Sequence, residues 1–454
     1  MNSGDTAWVL ASAALVLLMT PGLALFYGGM VRSKSVLNMI MMSFGAMGVV
    51  GVLWVLYGYS MAFADDVGGG LVGSPTEFFG LSQLMGTDGL EGGFAANELV
   101  FTIPSMAFVA FQAVFAIITV ALISGAIADR ARFGTWMVFT AIWATVVYFP
   151  VAHWVFAFDG AESATGGWIA NHLLAIDFAG GTAVHINAGA AALALALVLG
   201  KRVGWQRDQM RPHNLPLVML GAGLLWFGWF GFNAGSALAA NGQAAEVFVN
   251  TMVATCAAML GWLLTERLRD GHATSLGGAS GVVAGLVAIT PACSALSPVG
   301  SIILGLVAGV LCALAVGLKY RFGFDDSLDV VGVHLVGGLV GTIGVGLLGT
   351  ATATAGVDGL LYGGGVDQLW RQSVGAGAVL VYSFVVTYLI GTGLDKTIGF
   401  RLDEDDEVTG IDNSDHAETA YDFHQAFGTR TPAGIQAAAE ARNIDTSDKE
   451  GANA

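Results

Sequence analysis

The chain has 454 residues, of which 55% are hydrophobic, only 11% are charged and 65 are glycine. Its mean hydropathy of +0.69 excludes a soluble domain and identifies an integral membrane protein, because so few polar groups could not cover a water-exposed surface. A net charge of −16 excludes a basic nucleic-acid-binding face, so no nucleic acid is an expected partner.

Runs of roughly 20 apolar residues, enough to cross about 30 Å of hydrocarbon, lie near 7–31, 38–63, 100–128, 133–153 and 179–200. Six more follow near 215–240, 246–265, 274–292, 299–318, 330–350 and 373–394. The expected fold is an all-α polytopic membrane protein of eleven transmembrane helices. The first run is a retained helix, since no basic residue precedes Trp8 and the apolar pattern continues through Pro21 to Met30. Glycines within the runs favour close helix packing. Cys256, Cys293 and Cys312 show no metal-ligand spacing and read as buried small side chains.

Basic residues orient this array. Arg32 and Lys34, Arg130 and Arg132, the four from Lys201 to Arg211, Arg267 and Arg269, and Lys319 and Arg321 each follow an odd-numbered run. With the five beyond Leu394, 17 of the 18 basic residues fall on one side, leaving Arg371 opposite. Since short cytoplasmic loops collect Lys and Arg, the N-terminus is expected outside and the C-terminus in the cytoplasm. The other side carries Asp5, Asp65, Asp66, Glu77, Asp88, Glu91, Glu98, Asp159, Glu162, Glu246, Asp358 and Asp367. That electronegative face suits either attraction of cations to an entrance or life at high salt, and the equally acidic tail agrees with the second reading.

Two histidines stand alone in these runs. Val184-His185-Ile186 followed by Gly189 is answered by Val333-His334-Leu335 followed by Gly338. A protonatable group at membrane depth costs about 2–3 kcal/mol or more when charged, so it faces a bundle interior and serves function. Repetition of the string points to one site built by two halves.

The string Asp177 to Gly189 (DFAGGTAVHINAG) resembles the signature of the ammonium transporter (Amt/Mep/Rh) family. So, in the family's order, do Pro21 to Lys34, Phe111 to Phe115 (FQAVF), Pro150 to His153 (PVAH), Trp226 to Ser236 (WFGWFGFNAGS) and Asp329 to His334 (DVVGVH). The resemblance covers residues 7–422 and favours the Amt branch. It implies a homotrimer with one pore per subunit, and a five-plus-five inverted repeat in which His185 and His334 approach the midplane from opposite sides.

Carried over by position, the resemblance makes His185 and His334 twin pore histidines sharing a hydrogen bond. A neutral imidazole donates from one nitrogen and accepts at the other, so the pair can relay a proton or hold ammonia. No third ligand accompanies them, and neither a metal nor another cofactor is expected. Ser236 and Phe111 match the hydroxyl and wall aromatic that recruit the cation at the outer mouth. Phe115 and Phe232 match two stacked phenylalanines that close the conduit below it. Asp177, about 12 Å along a helix from His185, cannot touch it. It matches a buried carboxylate supporting the recruitment site through backbone and hydroxyl bonds, or else is a helix cap. The chain departs from the pattern at Phe156, where the family has tryptophan; Trp154 and Trp168 stand as alternative substitutes.

Residues 1–394 thus form the transmembrane unit. The resemblance makes 395–422, with Arg401, Asp412 and Tyr421, an ordered cytoplasmic regulatory tail and a docking place for a PII-type signalling protein. The acidic extension 423–454 has the composition of a disordered segment. The implied function is ammonium uptake across the plasma membrane: capture of NH4+, deprotonation, and conduction of NH3 with or without the proton. The alternative is an ammonium sensor signalling through a PII-type partner with minor flux, and a Rhesus-like gas channel fits the Ser236 string less well. An enzyme is the weakest class, since no nucleophile, metal cluster or acid/base dyad accompanies the histidines.

Overall fold

The computed structural model describes residues 1–85, 99–161 and 163–421; Asp88, Glu91, Glu98, Glu162 and the extension 423–454 lie outside them. Helices dominate: α1 Ser3–Met30, α2 Val36–Phe63, α3 Ser105–Ile127, α4 Phe133–Phe156, α5 Gly181–Leu199, α6 Leu215–Gly235, α7 Gly242–Asp270, α8 Ser275–Ile289, α9 Pro298–Phe322, α10 Val331–Leu348 and α11 Asp367–Thr397. Two short tail helices follow, α12 Glu404–Thr409 and α13 Ile411–His416. Ten of the eleven long helices among the described residues have the length and apolarity of a membrane crossing. The eleventh, α8, spans 15 residues, about 23 Å at 1.5 Å per residue, which is short of a full crossing. It is buried almost throughout, so it needs no lipid-facing length.

The ends follow ordinary capping chemistry. Asn2 caps α1 by accepting from the Gly4 and Asp5 amides, and Asn214, Asn241, Thr274 and Ser297 do the same for α6, α7, α8 and α9. Close packing uses small residues, as expected where lipid supplies no hydrophobic drive between helices. At Gly305 and Gly309, one turn apart on α9, an added Cβ would lie 2.1 Å from the Ala254 and Ala258 carbonyl oxygens of α7. The sole β-sheet among the described residues is the hairpin of β1 (Leu99–Val100) and β2 (Ile103–Pro104), which leads into α3.

Helices α5 and α10 share an unusual opening. Each begins with a wide π-helical turn, Gly181–Ile186 and Val331–Leu335, that carries its histidine, and continues as an ordinary α-helix. Such turns displace a side chain relative to the regular spiral.

Candidate functional site

Carboxylates hold both π-turns. Asp177 accepts from the amides of Gly180, Gly181, Thr182 and Ala183 at 2.6–3.0 Å, satisfying the orphan donors of α5. All of these bonds are to backbone, so its geometry is that of the cap. Asp326 answers it on α10, accepting from the Val330 and Val331 amides at 3.1 and 2.8 Å. Both carboxylates stand eight positions before their histidine. The sequence reading missed Asp326, although that repeated spacing was its signal. Burial pushes the Asp326 carboxyl up to about 6, against the opposing pull of Lys319.

The histidines meet where the two turns converge, with His185 Nδ1 and His334 Nδ1 3.2 Å apart and both side chains buried. One Nδ1 must donate and the other accept, so the outward-turned Nε2 atoms differ in kind, one an acceptor and one a donor. His185 Nε2 is buried with no hydrogen-bond partner among the described residues. Trp229, which the sequence reading did not single out, stacks on His185 at 5.4 Å between ring centroids and is itself tethered through Nε1 to Thr290 Oγ1. Its signal was helical spacing: Leu225, Trp229, Phe232 and Ser236 follow one face of α6 and its end.

Cavities that share lining residues run through the bundle. At one end a mouth of about 50 Å³ is lined by Ser236, Gln112, Phe115, Phe156 and further aromatic rings. Phe115 then packs against Phe232 as a tilted pair with ring centroids 4.2 Å apart, at the base of the mouth. Beyond that pair lies a cavity of about 10 Å³ lined by Phe232, His185 and His334, then another of about 10 Å³ bounded by His334, Ser280 and Leu328. Each holds about one water-sized molecule. Leu328 also borders a vestibule of about 510 Å³ lined by Arg202, Trp205, Lys319 and Asp329. The mouth meets the first inner compartment across the Phe115–Phe232 contact and each later pair shares lining residues, so the compartments lie in series past both histidines.

Of the sequence-derived mouth residues, Ser236 and Phe156 line the cavity. Ser236 donates its hydroxyl to the Phe232 carbonyl, which leaves its oxygen lone pairs available to a cation. Phe111 does not border the cavity; it is fully buried behind it, edge-on to Phe115 at 4.9 Å. Neither proposed substitute for the missing tryptophan lines the mouth. Trp154 Nε1 donates to the Leu71 carbonyl and its ring packs on Tyr382 and Trp168, while Trp168 abuts Gly70. The mouth is instead completed by Phe101, Phe108, Phe158, Phe178 and Leu238, of which only Phe178 lies in a quoted string, where it was given no role. Among the described residues no group of three or more His, Cys, Asp or Glu is placed to hold a metal.

At the vestibule end, charged side chains tie the loops together. Buried Arg202 grips Asp325 through Nε and Nη2, both at 2.9 Å, and reaches Asp129 at 3.2 Å, which also pairs with Arg32. Burial opposes the Arg202 charge, but Asp325 and Asp129 outweigh it and hold its pKa above the ordinary value. The tail closes over this network. Arg401 donates to the Leu199 carbonyl and to Glu407, and buried Glu407 accepts from the Val203 amide. Asp412 caps α2 by accepting from the Leu37 and Asn38 amides at 3.0 and 2.8 Å. Tyr421 lies 2.8 Å from His213 Nε2. The tail thus bonds to the end of α5, the α5–α6 connection and the start of α2, and Glu407 is the contact that the sequence reading overlooked.

Residues 7–421 match the model of the Ammonium Transporter Family. An ammonium transporter of Mycobacterium tuberculosis is 64% identical over 443 residues, covering 95% of this chain and 93% of the relative. One from Bacillus subtilis is 45% identical, covering 93% and 99%. Among solved structures, Saccharomyces cerevisiae Mep2 superposes with a TM-score of 0.78 at 33% identity over 89% of this chain and 91% of its own. A sensor Amt protein superposes with a TM-score of 0.81 at 28% identity over 90% and 98%.

Proposed function

Because the chain belongs to the ammonium transporter family, we propose that it captures NH4+ at the Ser236 mouth, removes a proton at the Phe115/Phe232 constriction and conducts ammonia along His185 and His334. It is a multi-pass protein of the plasma membrane, and its family is one of transporters rather than enzymes. The observation that supports the mechanism is the series of compartments from mouth to vestibule, joined first across the Phe115–Phe232 contact and then by shared lining residues. A cation entering so apolar a passage would forfeit hydration worth several kcal/mol, whereas ammonia is neutral. The unpartnered His185 Nε2 offers ammonia or a proton a hydrogen-bonding site inside that passage.

In this reading α8 is the eighth of eleven crossings, the mouth faces outside, and the vestibule and tail face the cytoplasm, as the basic loops require. Three subunits assemble, each with its own pore. Residues 1–394 form the conduit and 395–422 a regulatory tail whose hold on Val203, Leu37 and Asn38 would let a PII-type protein alter the loops around the vestibule. A second reading, an ammonium sensor with minor flux, is favoured by the likeness to the sensor Amt protein and by the same tail contacts.

The test is current on solid-supported proteoliposomes after an ammonium jump, with potassium as control and His185→Ala/His334→Ala alongside. An ammonium-selective current that is lost or becomes unselective in the variant supports charge-carrying transport through the histidine pair. Internal alkalinisation without current supports electroneutral passage of ammonia. Neither signal in the native protein rejects the transport mechanism in favour of the sensor.

A further inference from the structure

The rim of the mouth contains two strained residues. Phe101 and Leu238, both lining the cavity, have φ angles of +53° and +52°, a left-handed conformation that is disfavoured for a residue with a side chain because its Cβ crowds the following carbonyl oxygen. Such a conformation persists only where neighbouring groups over-determine it. The two lie on different segments, the β1–β2 turn before α3 and the turn after α6.

One side chain joins those segments. Asp5, in the first turn of α1 and 7% exposed, accepts at Oδ2 from Thr102 Oγ1 at 2.7 Å, directly after Phe101. Its Oδ1 accepts from the Ala240 amide at 2.9 Å, two residues after Leu238. Asn2 reinforces the first attachment by donating its amide to the Thr102 carbonyl at 2.8 Å, and Trp8 reinforces the second by donating to the Ala234 carbonyl at 3.1 Å. Neither oxygen of Asp5 is spent on capping its own helix, which Asn2 does.

We propose that Asp5 is a positioning residue for the mouth, a clamp that holds the Phe101 turn and the Leu238 turn at a fixed separation and so sets the width of the cation-capture site next to Ser236. It touches no substrate; it acts through the two turns. The role rests on the mouth being the capture site, and its signature is a change in the concentration at which flux half-saturates rather than in maximal flux.

The experiment is ammonium-jump current and internal alkalinisation on proteoliposomes of the full chain, fitted for apparent KM and maximal rate. Asp5→Ala removes both hydrogen bonds that fix the two turns, so apparent KM should rise at least about fivefold with maximal rate within about twofold of native. Asp5→Asn should return to near-native KM, because the amide oxygen accepts from Ala240 and its N–H donates to the Thr102 hydroxyl. Thr102→Val, a nearly isosteric change, should raise KM alone and add nothing on top of Asp5→Ala; it also provides the test if Asp5→Ala does not assemble. Unchanged KM in Asp5→Ala or Thr102→Val, or an Asp5→Asn as impaired as Asp5→Ala, overturns the clamp, the latter because the charge rather than the bonds would then be at work. A native protein without either signal would reject the capture reading itself, an outcome distinct from native transport with indifferent variants.

Discussion

Gly189 and Leu335 meet so closely that a Cβ added to the glycine would lie 2.5 Å from the leucine amide nitrogen. The relationship is reciprocal: a Cβ on Gly338 would lie 3.1 Å from the Ile186 amide nitrogen. Each glycine follows its own histidine by four positions and presses on the residue after the other histidine. This mutual approach of α5 and α10 is what brings the Nδ1 atoms within 3.2 Å.

Gly189→Ala should therefore force the two helices apart. Overpacking against backbone costs about 1–3 kcal/mol, and the hydrogen bond between the histidines cannot survive a shift of about 1 Å. The expected outcome is a lower melting temperature in detergent together with impaired ammonium flux. Gly223→Ala, where nothing lies within 4 Å of the added carbon, should leave both unchanged.

The histidines should behave as one unit. His185→Ala leaves the His334 Nδ1 without its partner in an apolar cavity, and His334→Ala does the same to His185. Each single change should therefore disable the relay, and the double variant should be no worse than the poorer single one in flux or ion selectivity. Strictly additive losses in a double-mutant cycle would mean that the rings act independently.

The array of helices was legible in the sequence because its signals are local and redundant: apolar length, alternation of basic loops and repeated histidine strings. The histidine pair was legible for the same reason. Its partners were less so. Trp229 stands among five aromatic residues in the seven positions Trp226 to Phe232, and only α6 packing selects which ring faces His185. The rings completing the mouth, Phe101 before α3 and Phe158 and Phe178 at the two ends of the α4–α5 connection, meet only through tertiary structure. Phe111 shows the converse, a residue in a recognisable string whose side chain turns behind the cavity wall. The length of α8 was overestimated because buried apolar turns beyond Ile289 read the same as helix.

Asp326 gives a pH dependence of defined sign. Burial raises its folded pKa to about 6 from an unfolded value of about 3.9. The folded state then holds the proton more tightly, so this residue's favourable contribution is complete below about pH 4 and is lost as pH rises through about 6. The melting temperature of native protein relative to Asp326→Asn should fall between pH 4 and about pH 6.5 and level off above. A difference that grows across that window would mean that the carboxylate is stabilised as an anion.

Release of the tail should be separable from damage to the conduit. Glu407 is buried and accepts from both Arg401 and the Val203 amide, so Glu407→Ala leaves the Val203 amide and the Arg401 Nη2 without their acceptor, at a cost of about 1–3 kcal/mol. Limited proteolysis should then cut between 395 and 421 at least about fivefold faster, since the open population grows with the lost free energy. The melting temperature of the helical bundle should hold. Unchanged cleavage would show that Asp412 and Tyr421 hold the tail without it.

The departure at position 156 can be reversed. Phe156 borders the mouth beside Ser236, and an indole in its place brings a stronger π face and an N–H donor. A gain of about 0.5–1 kcal/mol in cation contact corresponds to a two- to fivefold lower apparent KM for ammonium in Phe156→Trp. The mouth has only about 50 Å³ to give, so the larger ring should also reduce maximal rate, and methylammonium should lose more than ammonium because it is bulkier. Phe156→Leu removes the π face at similar volume and should raise KM with no change in that discrimination. If neither substitution moves KM, cation contact resides in Phe101, Phe158 and Phe178, and Phe156 serves only to pack the wall behind them.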